Sequence, residues 1–362
     1  MKWIDSIGKQ SRALILLEGF LLVAVLGVID YATGEELFFL EFYLLPVILL
    51  TWFVSEKAGI AVSMVSGIFW FVDDVLGRPP QGRMAISYSN VFLKMLVFII
   101  FTRILSALKN AIARERLAEQ KKAKRELEIA RKVQDGLFPQ VFPQIRTLDY
   151  YGICEAANGV GGDYYDFLLL STDTLGIAIG DVSGKGISAA LLMSNLQAML
   201  RSNALLYKNT SDRLVYDINN QLYRSTTGSK FATFFYGIYE DECGRLTYVN
   251  AGHNPPFLLR NGCISQLNSS GTVIGLFPNR EYQQVQLQLQ TGDLLLLFTD
   301  GLVEAQNMQE EEFGEERLHK WLLDNGAPTA RDLISSLLKE VGAFVGEAQQ
   351  HDDLTVVALK IL

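Results

Sequence analysis

Cysteine is scarce in this chain of 362 residues: Cys154, Cys243 and Cys263 are the full complement. So few and so scattered, they offer no disulfide framework, and they suit a reducing compartment such as the cytoplasm. None begins a C-x₅-R signature, so hydrolysis through a phosphocysteine is unsupported. Net positive charge is lacking as well. The formal balance is −8, and no nucleic-acid partner is expected from it. Gly and Pro are missing between Lys109 and Asp135, which removes the usual punctuation of loops from that stretch. No small-residue cleavage signal follows the first apolar segment, which argues against a removable leader there.

What the chain has in abundance is apolar sequence, 49% of its residues, unevenly spread. Apolar segments stand out at 13–29, 37–54, 58–72 and 89–108. Each is about 15–20 residues long, near the length that crosses a bilayer. Their Gly, Trp and Tyr content fits membrane helices. A four-span α-helical membrane domain is therefore expected over 1–108, in contact with the lipid bilayer. Lys and Arg set its orientation. Lys2, Lys9 and Arg12 precede or open the first segment, and Lys109, Arg114, Arg116, Lys121 and Lys122 follow the fourth. The first connection carries Glu35 and Glu36 with no basic residue, and in the third Asp73 and Asp74 offset Arg78 and Arg83. Both termini are then expected in the cytoplasm, in a multi-pass protein of the bacterial inner membrane. Glu18, Glu41 and Lys94 lie inside apolar segments. Such residues snorkel to an interface or mark a site, and Glu41 is the candidate for a functional role.

From 106 to 137 the chain reads as one long helix, rich in Ala, Glu, Lys, Arg and Leu. Apolar residues recur at Leu105, Leu108 and Ile112, then at Ala123, Leu127, Ala130, Val133 and Leu137. The middle, 116–122, is too charged for a good heptad seam and reads as solvated. The two ends read as a dimeric connector. The stretch 109–139 is thus taken as a helical linker ahead of a soluble domain at 140–362.

Short strands are expected at 148–155, 165–170 and 175–179, followed by helices at 187–206 and 211–224, the second capped by Ser211. Strands return at 231–239, 246–250 and 256–259, with Asn261-Gly262 a good hairpin turn. Strands at 284–289 and 294–298, helices at 315–323 and 330–345, and a strand at 354–359 complete the order. Strands alternating with helix pairs argue α+β.

Four aspartates sit near the ends of these strands: Asp163 in GGDYYDF, Asp181 in GDVSGKG, Asp300 in FTDG and Asp352 in HDDLT. Carboxylates at strand ends can converge in space from distant parts of a sequence. An all-oxygen set suits hard divalent ions such as Mg²⁺ and Mn²⁺. Two such ions ~3.5–4 Å apart lower the pKa of water and neutralise charge on a phosphoryl group. An Asp-Gly after a strand is by itself only a turn; GGDYYDF followed by GDVSGKG carries most of the specificity. Rival readings fail. GDVSGKG is no Walker A loop, because Gly186 stands where Ser or Thr is required. GGDYYDF is no GG[DE]EF cyclase motif, since Tyr164 and Tyr165 occupy its acidic and aromatic positions. Asp181-Val182-Ser183 lacks the spacing and closing Glu of an EF-hand.

With these motifs in order, the stretch from about Glu128 to the C-terminus resembles the metal-dependent serine/threonine protein phosphatases, in their bacterial SpoIIE-type (sigma-regulator, RsbU-like) branch. The resemblance runs through EIARKVQDGLFP at 128–139, GGDYYDF at 161–167 and GDVSGKGISAALLM at 180–193. It continues with FATFFYGIY at 231–239, NAGHNPP at 250–256, GDLLLLFTDGLVEA at 292–305 and HDDLTVVALKI at 351–361. It implies an α+β phosphatase domain of two packed antiparallel sheets flanked by helices, a PPM-type sandwich. It implies two divalent ions, Mn²⁺ or Mg²⁺, and hydrolysis of phosphoserine or phosphothreonine. By the resemblance Asp181 bridges both ions and the Val182 carbonyl ligates one. Asp163, Asp300 and Asp352 complete the set, with Asp353 the alternative to Asp352. A phosphorylated STAS protein of the anti-anti-sigma type is the implied partner. A switching role for 128–139 and homodimerisation through the linker helix are implied too, with the membrane domain in control. The sequence departs from the pattern in two places. No His follows the Asp181-Val182 pair as in eukaryotic relatives, and Asn158-Gly159 replaces the basic residue and Glu that usually precede V-G-G-D. His253 and Asp166 stay open between structural and chemical roles. Two other functions stay in view: a non-catalytic receptor, against which the intact aspartates argue, and a hydrolase of a small phosphorylated molecule.

Overall fold

The computed structural model describes all residues except 1–6, 8–9, 34–40, 73–83, 227–228 and 327. They form two compact units, Met1–Ala123 and Lys124–Leu362.

The first unit is helical: α1 Arg12–Thr33, α2 Leu44–Phe53, α3 Glu56–Val72 and most of α4, Met84–Asp135. Among the described residues, α1 and α4 are long and apolar enough to cross a membrane. The ten residues of α2 rise only about 15 Å, half of a hydrocarbon core of about 30 Å. The segment expected at 37–54 is thus shorter as a helix than as an apolar run, because a turn occupies 41–43. Glu41 falls in that turn and is exposed, its carbonyl accepting the Leu44 N–H at 3.2 Å. The charges that set the orientation at Lys2, Lys9, Glu35, Glu36, Asp73, Asp74, Arg78 and Arg83 lie outside the described residues. Val47, Leu50, Val62, Trp70 and Phe98 pack at the centre of the unit. Buried hydroxyls there bond back along their own helices, Thr51 to the Val47 carbonyl at 2.6 Å and Ser63 to that of Gly59 at 2.8 Å. This satisfies polar groups where water is excluded. Lys94 lies over the Trp70 ring, 5.1 Å from its centroid. The expected fourth span and linker are one uninterrupted helix, α4. Its continuity follows from the missing Gly and Pro, and the helix stops where Gly136 arrives.

The second unit alternates strands and helices: β1 Leu148–Glu155, β2 Asp163–Ser171, β3 Thr174–Val182, α5 Ile187–Asn203, α6 Ser211–Thr226, β4 Ala232–Glu240 and β5 Arg245–Ala251. Then come β6 Phe257–Arg260, β7 Cys263–Gln266, β8 Val285–Gln288, β9 Leu294–Phe298, α7 Asp300–Val303, α8 Gly314–Asp324, α9 Ala330–Val345 and β10 Leu354–Ile361. Two five-stranded antiparallel sheets result, in the orders β1-β10-β9-β6-β7 and β2-β3-β4-β5-β8.

Side chains on a strand alternate between faces, and here both faces are apolar. Tyr165, Phe167, Ile177 and Phe235 of one sheet meet Leu295, Leu297, Val357 and Leu359 of the other in the central core. The intervening residues Tyr164, Ala178, Phe234 and Tyr236 point outward under α5 and α6. Leu296, Phe298, Val356 and Ala358 do the same under α7, α8 and α9. A helix–sheet–sheet–helix sandwich is the consequence.

Three local readings need correction. Ser211 does not cap α6 but is its first residue, with its hydroxyl 3.4 Å from the Gln284 side chain. Helix α5 ends at Asn203, short of 206. Strand β7 was not anticipated, because its four residues are short, mostly polar and exposed. The turn that forms it is as expected, with Asn261 at φ 52° and Gly262 at φ 73°.

Candidate metal centre

The sandwich brings the strand ends carrying the four aspartates to one end of the molecule's second unit. Asp163 opens β2 and stands directly opposite Asp181, near the end of β3, in the antiparallel register. Asp300 opens α7 just after β9, and Asp352 precedes β10, the strand paired with β9. The two sheets are tied together here: Thr299, after β9, donates its hydroxyl to Asp163 Oδ2 at 2.7 Å.

Like charges placed opposite each other on adjacent strands are destabilising, and burial makes matters worse. Asp163 is 2% exposed. Its carboxyl is pushed well above the usual range by burial and then by Asp181. Asp181 is raised to about 7 by burial, then by Asp300, Asp352 and Asp353. Asp300 is raised by burial and by Asp352. The cluster therefore holds more negative charge than the protein around it neutralises.

The backbone leaves room beside these carboxylates. A Cβ at Gly162 would lie 2.6 Å from the Val182 carbonyl oxygen and 3.4 Å from Asp181 Oδ1. One at Gly161 would lie 2.2 Å from Asp353 Oδ2. Only glycine fits such close approaches.

HDDLT offered two aspartates, and their surroundings differ. Asp353 has both oxygens engaged by backbone, Oδ1 with the Ala157 N–H at 2.9 Å and Oδ2 with the Gly162 N–H at 2.7 Å. It fastens the 157–162 loop to the start of β10. Asp352 is half exposed and pairs with Lys185, Nζ to Oδ2 at 2.8 Å. Among the described residues, no three acidic, His or Cys groups stand close enough to enclose an ion as they are. Asp352 and Asp353 are engaged with other partners, Lys185 and the 157–162 backbone. The donor set is nevertheless all oxygen, anionic and open, which fits a hard divalent ion.

Asp166 is no part of this centre. It is fully buried, and its oxygens accept from Arg201 Nε at 2.7 Å, Arg201 Nη2 at 2.9 Å, Tyr164 Oη at 2.7 Å and the Phe167 N–H at 2.9 Å. That saturates it as an anchor for α5. His253 is 3% exposed, with Nδ1 2.9 Å from Thr233 Oγ1. Burial holds its pKa down at about 3, so it stays neutral. It props up the strand beside Asp181, which faces Thr233 across β3 and β4.

Three contributors escaped the sequence reading. Lys185 and Thr299 lie within motifs already singled out, but no pattern assigns a partner to them. Gln134, in the last turn of α4, is 6% exposed. Its amide clamps the Gly161 backbone, donating to the carbonyl at 2.7 Å and accepting from the N–H at 3.0 Å. Only the fold reveals that contact, since 27 residues separate the pair.

Comparisons with known proteins agree with this architecture. The family model "Stage II sporulation protein E (SpoIIE)" matches residues 171–362. Protein IcfG of Synechocystis sp. is 29% identical over 264 residues, 65% of this chain and 41% of IcfG. Phosphoserine phosphatase RsbU of Bacillus subtilis is 32% identical over 244 residues, 67% of this chain and 71% of RsbU. The chain thus spans less than half the length of IcfG. Among solved structures, the SiaA-PP2C domain of Pseudomonas aeruginosa superposes with a TM-score of 0.61 at 19% identity, covering 68% of this chain and 99% of that domain. At that identity the likeness concerns the fold.

Proposed function

Given that this chain belongs to the SpoIIE family of PP2C-type serine/threonine phosphatases, we propose that it is a membrane-anchored protein phosphatase. Its substrate is phosphoserine or phosphothreonine on a cytoplasmic regulator, a STAS protein of the anti-anti-sigma type. Phosphatases of this type depend on metal ions, and we assign two, Mn²⁺ or Mg²⁺, to this site. The observation that carries the reading is the directly opposed pair of buried Asp163 and partly buried Asp181, with Asp300 and Asp352 adding to the same field. Such a pair must either hold a proton or take up a cation, and a bound divalent ion lets both carboxylates stay ionised.

Asp163, Asp181, Asp300, Asp352 and the Val182 carbonyl would hold the ions, and Asp353 serves instead to fix the loop that presents Asp163. When bound, the ions neutralise the phosphoryl oxygens and lower the pKa of water. The chain supplies the rest. Thr299 orients Asp163 by its hydrogen bond. Lys185 screens Asp352 until an ion does so. Gly161 and Gly162 keep the approach clear. His253 is held neutral and buried and is assigned a structural role.

The domains are read as a four-span anchor at 1–108, in which the described helix α2 alone covers only about half a hydrocarbon core, a helical linker at 109–139 that dimerises, and the phosphatase at 140–362. The exposed apolar faces of α1 (Leu17, Leu21, Val28) and α4 (Phe92, Val97, Ile104) support contact with lipid. Both termini are placed in the cytoplasm. Reporter fusions test the topology: cytoplasmic signals after Lys122 and periplasmic ones after Glu36 agree with it, and a cytoplasmic signal after Glu36 overturns it.

A further inference from the structure

A cavity of about 310 Å³ opens beside the carboxylate cluster. Lys185, Gly301 and Asp352 form the wall it shares with the cluster. Its opposite wall is the apolar side of α9, with Leu338, Val341 and Val345. Glu155 and Glu304 add acid to the lining. Lys185 is already engaged with Asp352 Oδ2 and the His351 carbonyl, both at 2.8 Å, and His351, Gln306, Gln349 and Gln350 also line the cavity. The cavity is therefore apolar on one side, anionic on the other, and continuous with the place where phosphate is hydrolysed. Its volume lies at the lower end of the range of about 300–1,000 Å³ typical of small-ligand sites. That suits a side chain rather than a cofactor.

Gly342 sharpens the reading. It sits on the cavity wall inside α9, where glycine weakens a helix. A Cβ there meets no atom within 4 Å, and its φ is not in the left-handed region. Neither a turn nor close packing requires glycine at this position. Gly342 is exposed and lines the cavity, so a larger side chain there has room to enter it.

We propose that this cavity reads the sequence beside the phosphorylated residue. It takes one large apolar side chain of the phosphoprotein segment, with a basic side chain of the same segment at its acidic rim. Continuity with the catalytic wall names the occupant: whatever presents a phosphate to Asp181 and Asp352 passes its flanking residues over this opening. The inference rests on the phosphatase reading and adds to it a substrate preference.

The test uses the full chain in detergent with Mn²⁺, p-nitrophenyl phosphate, and a set of phosphoserine peptides. The peptides vary one flanking position at a time among Leu, Phe, Ala and Asp, with and without a neighbouring Arg. At one position Leu or Phe should be preferred over Ala by about tenfold or more in kcat/KM, the low end of what even one added methylene gains in an apolar pocket. Gly342→Leu fills the cavity and should abolish that preference, while the ratio of Ala-peptide to p-nitrophenyl phosphate hydrolysis stays level. Gly342→Ala should keep the preference. The proposal falls if the wild type shows no positional preference or hydrolyses no peptide. It falls equally if the preference survives Gly342→Leu, or if that variant loses all substrates alike. Failure of the phosphatase reading is a different result: no Mn²⁺-dependent hydrolysis of either substrate class by the wild type.

Discussion

Truncating Gln134 to alanine should loosen the metal-site loop while leaving the sandwich intact. The carboxamide makes two hydrogen bonds to one backbone unit, Gly161, in a place with almost no solvent. Removing it orphans a buried N–H and a buried C=O. Each orphan costs about 1–3 kcal/mol, less whatever an entering water restores. The local opening of 157–163 should therefore become easier by about 2–4 kcal/mol. At 1.4 kcal/mol per factor of ten, that is roughly a thirtyfold to several-hundredfold rise in the open population. Hydrogen exchange by mass spectrometry reads this directly at the amides of Gly161 and Gly162. The Gly162 amide matters because it bonds to Asp353 rather than to Gln134, so faster exchange there reports that the whole loop has opened. The Mn²⁺ concentration for half-maximal activity should rise in parallel, since Asp163 follows in the same loop. Gln134→Glu keeps an acceptor for the N–H but sets an oxygen against the Gly161 carbonyl, and should be at least as damaging. Unchanged exchange at both glycines in a folded Gln134→Ala protein would refute the reasoning.

Other consequences can be checked separately. Asp181→Asn and Asp300→Asn should each abolish phosphatase activity, yet raise the thermal midpoint of the metal-free protein by relieving buried repulsion; a lower metal-free midpoint with unchanged activity would contradict the site. His253 is held at about 3 in the folded chain, against 6.5 when unperturbed. The unfolded chain therefore binds more protons between those values, and this contribution is complete above pH 6.5 and lost as pH falls, by up to about 1.4 kcal/mol per pH unit. His253→Gln should accordingly show a shallower loss of stability from pH 6.5 to 5 in denaturant titrations, and equal slopes would count against the buried neutral imidazole. Two glycines inserted near Glu119, within the uninterrupted helix α4, should uncouple catalysis from the membrane unit without destroying it, because a stiff helix transmits displacement and a flexible linker does not. Regulation that survives the insertion, measured as stimulated against basal rates in membranes, would reduce the helix to a tether.

Much of the second unit was legible because strand periodicity, turn residues and apolar stripes agree with one another. The Asn261-Gly262 hairpin and the α9 limits came directly from local chemistry. Strand β7 did not, since its four residues, mostly exposed and with Ile264 the one apolar residue packed on the core, carry no period to read. The aspartates could be picked out because their motifs sit at strand ends, but the sequence left Asp352 and Asp353 equivalent. Only the fold separates them, by giving Asp353 two backbone amides and Asp352 a lysine. Asp166 shows the same limit from the other side. It lies three residues from Asp163 and looks as available, yet Arg201 from α5 saturates it. In the first unit, apolar runs gave helices, but hydropathy could not see the turn that shortens α2.

The central claim is that the strand-end carboxylates form an ion-dependent phosphatase centre. It is tested most directly by phosphate release from a serine-phosphorylated STAS protein incubated with the full chain. Release should be absent after EDTA, return on adding Mn²⁺ or Mg²⁺, and stay absent in Asp181→Asn under the same conditions. Release that persists in EDTA, or that proceeds in Asp181→Asn at the wild-type rate, would contradict the account.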